Sequence, residues 1–399
     1  MQSVKYQAMA LAMFLTVGAF VGCLGDDDEE EDTTVTKTTV MIGFLNPLTG
    51  PLEPDAPGFT WAANEAISDL NAASSTHTFE LVEVDSACDG TPAAAGAQTL
   101  VDSGVVAVAG AACSGASMGA NAVLSAASIP MISYASTNPG LSDASAYPLF
   151  YRIVPSDALQ GPAGAAMMVD GGVTNGSLAI LHMTNDYGSG LADSVKAGWE
   201  ADGSVLCGAG MIGYEDTTTN FDSLAQSVVD NTDCTAVYLS SYITDAAGII
   251  EALNDKGYEG KIFGGDGPAG IGLYEKLEVN SMAEGMTVSA PRAGASAGSG
   301  AAFEARYDAN ASEIGSIKTY VLTTYDAVTI IGTAAAMGGD INAMIKMTGT
   351  GYEGASGTFT FLDNGDINGA GYDICTYGGA DETYNCNKYW TATGGVQSV

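Results

Sequence analysis

The sequence has little positive charge. Lys and Arg total 12 against 47 Asp and Glu, which gives a formal net charge of −35 at pH 7. Such a negative field repels phosphate backbones, and no cluster of Lys and Arg offers a footprint for nucleic acid. We therefore exclude nucleic-acid partners. The acidity is explained either by solubility, for instance in a salty medium, or by an acidic binding face, and we favour solubility.

Metal-binding patterns are also scarce. The two histidines, His77 and His182, lie far in sequence from any pair of cysteines, and no C-x-x-C occurs. Disulfides are therefore favoured over a zinc site, and we predict neither a metal nor a cofactor. Apart from Cys23 the cysteines are even in number, as is usual in an exported protein. Sequence order suggests three pairs, Cys88–Cys113, Cys207–Cys234 and Cys375–Cys386.

Long apolar runs are missing too, but a short one lies near the N-terminus. Lys5 precedes an apolar segment over residues 8–22, which ends in Gly22 before Cys23. This order is typical of a signal peptide, and the apolar segment is short for a membrane span of about 20 residues. It predicts a signal peptide over 1–22 and a lipid on Cys23. A signal-anchor helix followed by a linker is the alternative.

Seven consecutive carboxylates follow this cysteine, in the stretch "VGCLGDDDEEEDTT". Their charges repel one another and stay solvated, so residues 23–38 are predicted to form a flexible tether. With either kind of anchor, we expect an exported protein held at the outer face of the cytoplasmic membrane.

The remaining chain alternates strand and helix patterns. "TVMIGFLNPLTG" (39–50) is apolar and β-branched, and "PGFTWAANEAISDLNAA" follows it with helical spacing. The alternation continues through "TFELVEVDS", "VVAVAGAA" and "IPMISYAS". It then resumes in a second series with "SLAILHM" (177–183), "CTAVYLSSY" (234–242) and "KIFGGD" (261–266). This predicts an α/β fold with two doubly wound lobes and mainly parallel sheets.

Ligands of such sheets bind beyond the carboxyl ends of the strands, and those ends are small, polar and rich in glycine. In the first series they offer the residues Ser114, Ser136 and Thr137, with the N–H groups of a helix start. In the second series they offer Tyr187, Tyr242 and Asp266. Hydroxyl and amide groups suit a carboxylate, whereas an anion between aromatic walls suits an ammonium. Taken singly, each could belong to an ordinary loop or core, but together they complement an amino acid.

These motifs resemble the branched-chain amino acid binding proteins, which are type I solute-binding proteins of ABC importers. The stretch "VDSACDGTPAAAGAQTLVDSGVVAVAGAACSGAS" matches the family's D-x-A-C-D segment and a cysteine followed by a ligand-binding serine, here Cys113 and Ser114. "SYASTNPGLSD", "NDYGSGLADSVKAG" and "LTTYDAV" (322–328) resemble its further motifs. The resemblance runs from about residue 40 to residue 371.

The resemblance implies a hinged two-lobed fold. We place the N-terminal lobe at 39–152 plus 290–369 and the C-terminal lobe at 153–289 plus 370–399. It also implies that Cys88 pairs with Cys113. The implied partners are an amino acid, with an aliphatic or branched-chain side chain expected, and the permease subunits of an ABC importer. No enzymatic activity is implied.

Ligand-binding roles are carried over by the same resemblance. Ser114 and Thr137 would bind the ligand carboxylate, with Ser136 beside them, and the backbone of Ala135 would serve both ends of the headgroup. Tyr187 and Tyr242 would close over the ligand, and Tyr320 would line an apolar pocket. Asp266 lies where the family commonly has a glutamate that pairs with the ammonium. The segment "PLEPDAPGF" (51–59) is short, and it lacks a counterpart for an aromatic that often packs on the ligand.

Other functions have weaker support. "GASMG" (115–119) fits the nucleophile elbow of a hydrolase around Ser117, but "GASAG" (294–298) fits as well, and His182 would be the remaining base. "GDGPAG" (265–270) fits a dinucleotide motif, but Pro268 removes a needed N–H. "DNGDINGAG" (363–371) resembles a calcium loop at its start alone, so we expect a polar turn. A sensor of the same fold that binds amides or small carboxylates is the non-enzymatic alternative.

Overall fold

The computed structural model describes residues 37–314 and 317–399. The predicted signal peptide, Cys23 and nearly all of the predicted tether lie outside the described residues. Within those residues, no helix combines the length and apolar character needed to cross a bilayer.

A five-stranded parallel sheet forms the first part of the chain. Its strands are β1 (Thr38–Asn46), β2 (His77–Asp85), β3 (Val108–Gly110), β4 (Met131–Ser133) and β5 (Phe150–Arg152), in the order β2-β1-β3-β4-β5. Helices α1 (Ala56–Ala73), α2 (Gly90–Asp102) and α3 (Ser114–Ala126) connect the strands. Strands β3 and β4 are fully buried, as is usual for the inner strands of a parallel sheet.

An eight-stranded sheet follows. Its parallel strands are β6 (Leu178–Met183), β7 (Met211–Tyr214), β8 (Ala236–Ser240), β9 (Lys261–Gly264) and β10 (Thr287–Pro291). They alternate with α4 (Asp157–Asp170), α5 (Asp186–Glu200), α6 (Asp222–Val229) and α7 (Ile243–Asp255). The C-terminal strands β13 (Tyr372–Tyr377), β14 (Tyr384–Thr391) and β15 (Gly395–Ser398) extend this sheet in antiparallel fashion.

Between β10 and β13 the chain returns to the first sheet. The returning elements are α8 (Gly298–Ile314), α9 (Lys318–Met337), α10 (Ile341–Thr348) and the hairpin β11 (Tyr352–Gly354) and β12 (Gly357–Phe359). Helix α9 packs on α1, β1 and β3. We call the five-stranded sheet with α1–α3 and α8–α10 the first half, and the eight-stranded sheet with α4–α7 the second half. The α/β fold class with mainly parallel sheets is confirmed.

The chain passes between the halves after β5, after β10 and before β13. An ion pair ties the first passage to the third, because Arg152 Nε donates to Asp366 Oδ1 at 2.6 Å. Arg152 is fully buried, and it also donates to Ser142 Oγ at 2.6 Å and to the carbonyl oxygen of Asn138 at 3.0 Å. The division of the chain at residues 152, 289 and 369 stays a prediction.

Three disulfides are present, and they join the pairs that sequence order suggested: Cys88–Cys113, Cys207–Cys234 and Cys375–Cys386. The first links the loop after β2 to the residue that precedes α3. The second lies at the amino ends of the strands of the second half, and the third joins β13 to β14.

Candidate binding site

A small cavity lies between the two halves, beyond the carboxyl ends of strands from both sheets. The volume of the cavity is about 30 Å³, taken as the space that the centre of a water molecule can occupy. The first half contributes the lining residues Leu52, Asp55, Phe59, Ala112, Ser114, Ala135, Ile317 and Tyr320. The second half contributes Tyr187, Tyr242, Asp266 and Gly267. Six of the eight predicted ligand-binding residues are thus brought together at one cavity.

The first half offers polar groups at the start of a helix. Ser114 is the first residue of α3 and is 1% exposed, and Cys113 before it forms no side-chain cap. The first N–H groups of a helix lack partners within it and carry a partial positive charge. Ser114 Oγ accepts from the N–H of Asn138 at 3.2 Å, which fixes the following loop beside the helix start. This wall can hold an anionic group.

A carboxylate held by two phenols dominates the second-half wall. Tyr187 Oη donates to Asp266 Oδ1 at 2.9 Å and accepts from the N–H of Gly267 at 2.9 Å. Tyr320, which α9 brings from the first half, donates to Asp266 Oδ2. Tyr320 was expected to line an apolar pocket, but its hydroxyl is engaged in this polar contact. The phenols orient the carboxylate toward the cavity that all three residues line.

Two tyrosines form the aromatic part of the wall. The rings of Tyr187 and Tyr242 stack with their centroids 4.9 Å apart and their planes 10° from parallel. The Tyr242 hydroxyl lies 3.7 Å from Cys88 Sγ across the cleft. The stack therefore reaches from the second half to the disulfide of the first.

Two buried carboxyl groups are the main electrostatic feature. Burial raises the pKa of Asp266, and the hydrogen bonds from Tyr320 and Tyr187 oppose that rise. Asp157, in the first turn of α4, is fully buried as well. Its pKa is well above the ordinary value because of burial and the nearby charge of Asp266. A cation in the cavity would lower both pKa values and favour the ionised carboxylates.

Asp55 is a lining residue that sequence analysis missed. It ends a short 3-10 helix (Glu53–Asp55) and leads directly into α1. Burial raises its pKa to about 6, against the opposing effects of the Lys276 charge and a hydrogen bond from the backbone of Ile317. The one sequence signal was the position of this acidic residue in the shortened segment "PLEPDAPGF".

Ser136 and Thr137 lie behind the cavity rather than on its surface. Ser136 Oγ donates toward the carbonyl oxygens of Ala111 and Ala112, at 3.1 and 3.0 Å. The carbonyl oxygen of Thr137 accepts from the N–H of Asp157 at 2.8 Å. Both residues are fully buried. They support the loop that carries Ala135, and their direct contact with a ligand stays a prediction.

The residues of the hydrolase alternative are not arranged as a nucleophile and base. Ser117 is fully buried, and its hydroxyl bonds the backbone of Ala111 at 3.2 Å and Ser136 Oγ at 2.8 Å. His182 lies in β6 of the second half, with Nδ1 2.8 Å from the carbonyl oxygen of Met183. Both side chains serve the packing of their own halves.

The calcium-like segment is likewise explained by internal contacts. Asp366 accepts from Arg152, from Ser142 Oγ at 2.7 Å and from Asn364 Nδ2 at 2.9 Å. In the part of the chain that the structure describes, no group of three or more His, Cys, Asp or Glu side chains could hold a metal ion.

The two halves also touch next to residues of the cavity wall. Asn138 Nδ2 donates to the carbonyl oxygen of Asp186, at the start of α5. A Cβ atom on Gly115 would lie 2.7 Å from Asp186 Oδ2, and one on Gly190 would lie 2.4 Å from Asn138 Nδ2. A side chain at either position would have to displace Asp186 or Asn138, so these glycines allow the two halves to meet closely.

Known proteins share this architecture. The family described as "Receptor family ligand binding region" matches residues 60–380. The leucine-, isoleucine-, valine-, threonine- and alanine-binding protein of Pseudomonas aeruginosa is 25% identical over 350 residues, which cover 86% of this chain and 91% of that protein. The leucine-specific-binding protein of Salmonella typhimurium is 26% identical over 356 residues, which cover 84% of this chain and 90% of that protein.

A solved structure agrees with this result at the level of the fold. The branched-chain amino acid transporter substrate binding protein of Streptococcus pneumoniae, crystallised with isoleucine, superimposes with a TM-score of 0.75. It is 22% identical, and the match covers 91% of this chain and 99% of that one.

Proposed function

This chain belongs to the family of receptor ligand-binding regions, and from that premise we propose that it is an extracytoplasmic solute-binding protein. It captures an amino acid between its two halves and delivers it to an ABC importer, without catalysing a reaction. The observation that carries the proposal is the cavity itself, where an anion-binding helix start from one half faces a buried carboxylate from the other.

The named functions of the relatives support this proposal. The Pseudomonas aeruginosa protein is named for the binding of five amino acids, and the Streptococcus pneumoniae protein is a transporter component crystallised with isoleucine. Both matches extend over most of this chain, so they include both halves of the cavity.

Each end of an amino acid has a partner in the cavity. The ligand carboxylate would accept from Ser114 Oγ and from N–H groups at the start of α3, with the backbone of Ala135 beside the headgroup. Asp266 would take the ammonium. A charge enclosed in a dry cleft loses much of its hydration, so both ends must be satisfied together.

The aromatic residues enclose the ligand. Tyr187, Tyr242 and Tyr320 form the wall around Asp266, and two of their hydroxyls already bond its carboxylate. Ser136 and Thr137 would act on the ligand carboxylate through the loop that they support.

Binding requires the halves to separate. A cavity of about 30 Å³, measured for the centre of a water molecule, holds on the order of two or three waters and no amino acid. The ligand therefore enters when the halves open about the three passages between them and is enclosed when they close again.

Anchoring at the membrane belongs to the same proposal. A lipid on Cys23 would hold the protein on the outer face of the cytoplasmic membrane, with the acidic tether as a spacer. A single acyl chain binds membranes only marginally, so we expect more than one chain on this residue. Mass spectrometry should find a mature N-terminus at lipid-modified Cys23, and an intact Met1 leader would contradict the lipid.

Isothermal titration calorimetry of the full chain in mild detergent tests the binding function. The titrants are all amino acids, with short amides and small carboxylates as the comparison set. We expect saturable binding of one amino acid per chain, and no heat from the amides. Binding of an amide or a simple carboxylate, with no amino acid bound, would overturn the proposal in favour of a sensor.

A further inference from the structure

We propose that Asn138 is a positioning residue that links occupation of the carboxylate-binding wall to closure of the two halves. It supports Ser114 on the first-half wall and bonds the start of α5 in the second half. The inference rests on the proposed function and adds a residue that is not among those lining the cavity.

Every polar group of Asn138 has a partner, and the partners lie in four places. The N–H of Asn138 donates to Ser114 Oγ at 3.2 Å, at the start of α3. Its carbonyl oxygen accepts from Arg152 Nη1 at 3.0 Å, at the end of β5. Its Oδ1 accepts from the N–H of Gly140 at 2.7 Å, within the same loop. Its Nδ2 donates to the carbonyl oxygen of Asp186, which we call the cross-cleft bond.

Three of these four bonds belong to the first half, and they set the direction of the cross-cleft bond. The bonds to Ser114 and Arg152 fix the backbone of Asn138, and the bond from Gly140 holds the oxygen of its side-chain amide. The amide nitrogen is thereby directed toward α5, so little side-chain freedom is lost when the cross-cleft bond forms. When the halves separate, this bond breaks and the other three remain.

The bond to Ser114 concerns the carboxylate end of the ligand. Because Ser114 Oγ accepts from the N–H of Asn138, its own proton can be donated to another acceptor. In the proposed function that acceptor is the ligand carboxylate. A hydroxyl that accepts one bond and donates another is polarised by both, and each bond strengthens the other. A bound carboxylate therefore tightens the hold of Ser114 on Asn138.

The cross-cleft bond reaches the support of the ammonium end. Asp186 is the first residue of α5 and directly precedes Tyr187, whose hydroxyl donates to Asp266 Oδ1 at 2.9 Å. A Cβ atom on Gly190 would lie 2.4 Å from Asn138 Nδ2, so the absence of a side chain there lets the amide approach the backbone of α5. Asn138 thus lies between the residues that serve the two ends of the headgroup.

A linkage of this kind acts in both directions. If a carboxylate on the first-half wall favours the cross-cleft bond, then the cross-cleft bond favours binding of the carboxylate by the same factor. Loss of the cross-cleft bond should therefore lower the affinity for an amino acid, although the contacts of the ligand itself are unchanged.

Asn138→Asp tests the cross-cleft bond with little change of shape. The new carboxylate can still accept from the N–H of Gly140, but it has no donor for the carbonyl oxygen of Asp186. Calorimetry of the full chain in mild detergent first identifies the standard amino acid that binds the parent most tightly, and this amino acid is the probe. The variant should bind it about threefold to tenfold more weakly. Asn138→Ser, which is too short to reach Asp186, should lose affinity as well.

A double-mutant cycle tests the linkage to the carboxylate wall. Ser114→Ala removes the bond between the serine hydroxyl and the N–H of Asn138. If the two residues act together, the loss caused by Asn138→Asp should be at least about twofold smaller in the Ser114→Ala background than in the parent. A merely structural role of Asn138 would give the same factor in both backgrounds.

Asn71→Asp is the matched control. Asn71 Oδ1 accepts from the N–H of Phe79 at 2.8 Å, and its Nδ2 donates to the carbonyl oxygen of Phe79 at 2.9 Å, all within the first half. The same exchange thus removes an amide donor from a backbone carbonyl without touching the contact between the halves. This variant should melt at a lower temperature than the parent and bind the probe amino acid with parental affinity.

The outcomes separate this inference from the proposed function. Parental affinity in both Asn138 variants, an equal loss in Asn71→Asp, or the same factor with and without the Ser114 hydroxyl would each show that the inference is wrong, while amino acid binding stands. If no amino acid binds to the parent, the proposed function is overturned and the inference with it.

Discussion

The two walls of the cavity are held in place by different means. On the first-half wall, the Cys88–Cys113 disulfide fixes the residue directly before Ser114, and the polar groups are a hydroxyl and backbone N–H groups. On the second-half wall, Asp266 is positioned by the hydroxyls of Tyr187 and Tyr320. One wall is fixed by a covalent bond, whereas the other depends on hydrogen bonds to a buried charge. We therefore expect the second wall to be the more sensitive to side-chain substitution.

The largest expected effect comes from one substitution in each wall. Asp266→Ala should weaken amino acid binding by roughly 2–4 kcal/mol, because it leaves the ligand ammonium without a partner in a closed cleft. Ser114→Ala should cost less, about 1–2 kcal/mol, since the N–H groups of α3 remain. Calorimetry on both variants measures the difference.

Asp255→Ala serves as the control for charge removal, because Asp255 is exposed at the end of α7. The affinity of the Asp255→Ala variant for the amino acid should equal that of the parent. An Asp266→Ala variant with parental affinity would show that the ammonium is bound elsewhere, and an equal loss from both walls would remove the contrast between them.

The next effect concerns the Cys88–Cys113 disulfide, which supports the first wall. Replacing Cys88 and Cys113 together by serine should lower the free energy of unfolding by about 3 kcal/mol in the chain-entropy model, for a sequence separation of 25. Binding should weaken too, because Ser114 and the contact with Tyr242 lose their fixed support. Chemical denaturation and calorimetry report the two effects separately.

The Cys207–Cys234 pair is a matched control, with a separation of 27 and a position away from the cavity. Its replacement by serine should cost a similar free energy of unfolding and leave the affinity unchanged. If both double variants lose affinity equally, the disulfide does not act on the binding wall.

A smaller effect tests Asp55, the partly buried acid of the first wall. The pKa of Asp55 rises from 3.8 to about 6, so the folded chain binds more protons than the unfolded chain between these values. The free energy of unfolding should therefore fall as pH rises from about 4 to about 6. Asp55→Asn removes this part of the fall, so its free energy of unfolding should depend less on pH between about 4 and about 6 than that of the parent.

Denaturation at several pH values tests this expectation. Asp245, whose pKa is also raised to about 6 by burial, remains in the variant, so the pH dependence should shrink without vanishing. Parallel curves for parent and variant would mean that the Asp55 carboxyl is not perturbed by folding.

Much of this structure follows from local patterns. The strand predicted from "SLAILHM" is β6 (Leu178–Met183), and the helix predicted from "PGFTWAANEAISDLNAA" is α1. Parallel sheets bring the carboxyl ends of their strands to one edge, so residues such as Ser114 and Asp266 could be assigned to a shared site without coordinates.

Other parts depend on contacts that the sequence does not display. Asp55 and Ile317 line the cavity together, and the backbone of Ile317 hydrogen-bonds Asp55, although the two residues lie far apart in the chain. The strands β13–β15 were not predicted as strands. Half of the residues of β14 are exposed and a single one is buried, so no apolar alternation marks this strand. Ser136 and Thr137 share a strand end with Ala135, but only the backbone path shows that Ala135 reaches the cavity surface.

The close contacts between the two halves have a kinetic consequence. Gly115 and Gly190 let α3, α5 and the Asn138 loop meet closely. In the proposed function, a molecule enclosed between the halves leaves only after such contacts part. Its residence time is then limited by how often these surfaces part, rather than by the strength of its contacts with Asp266 alone. Two amino acids of different affinity can thus depart at the same rate, and a bulkier residue at either glycine would shorten the stay of both.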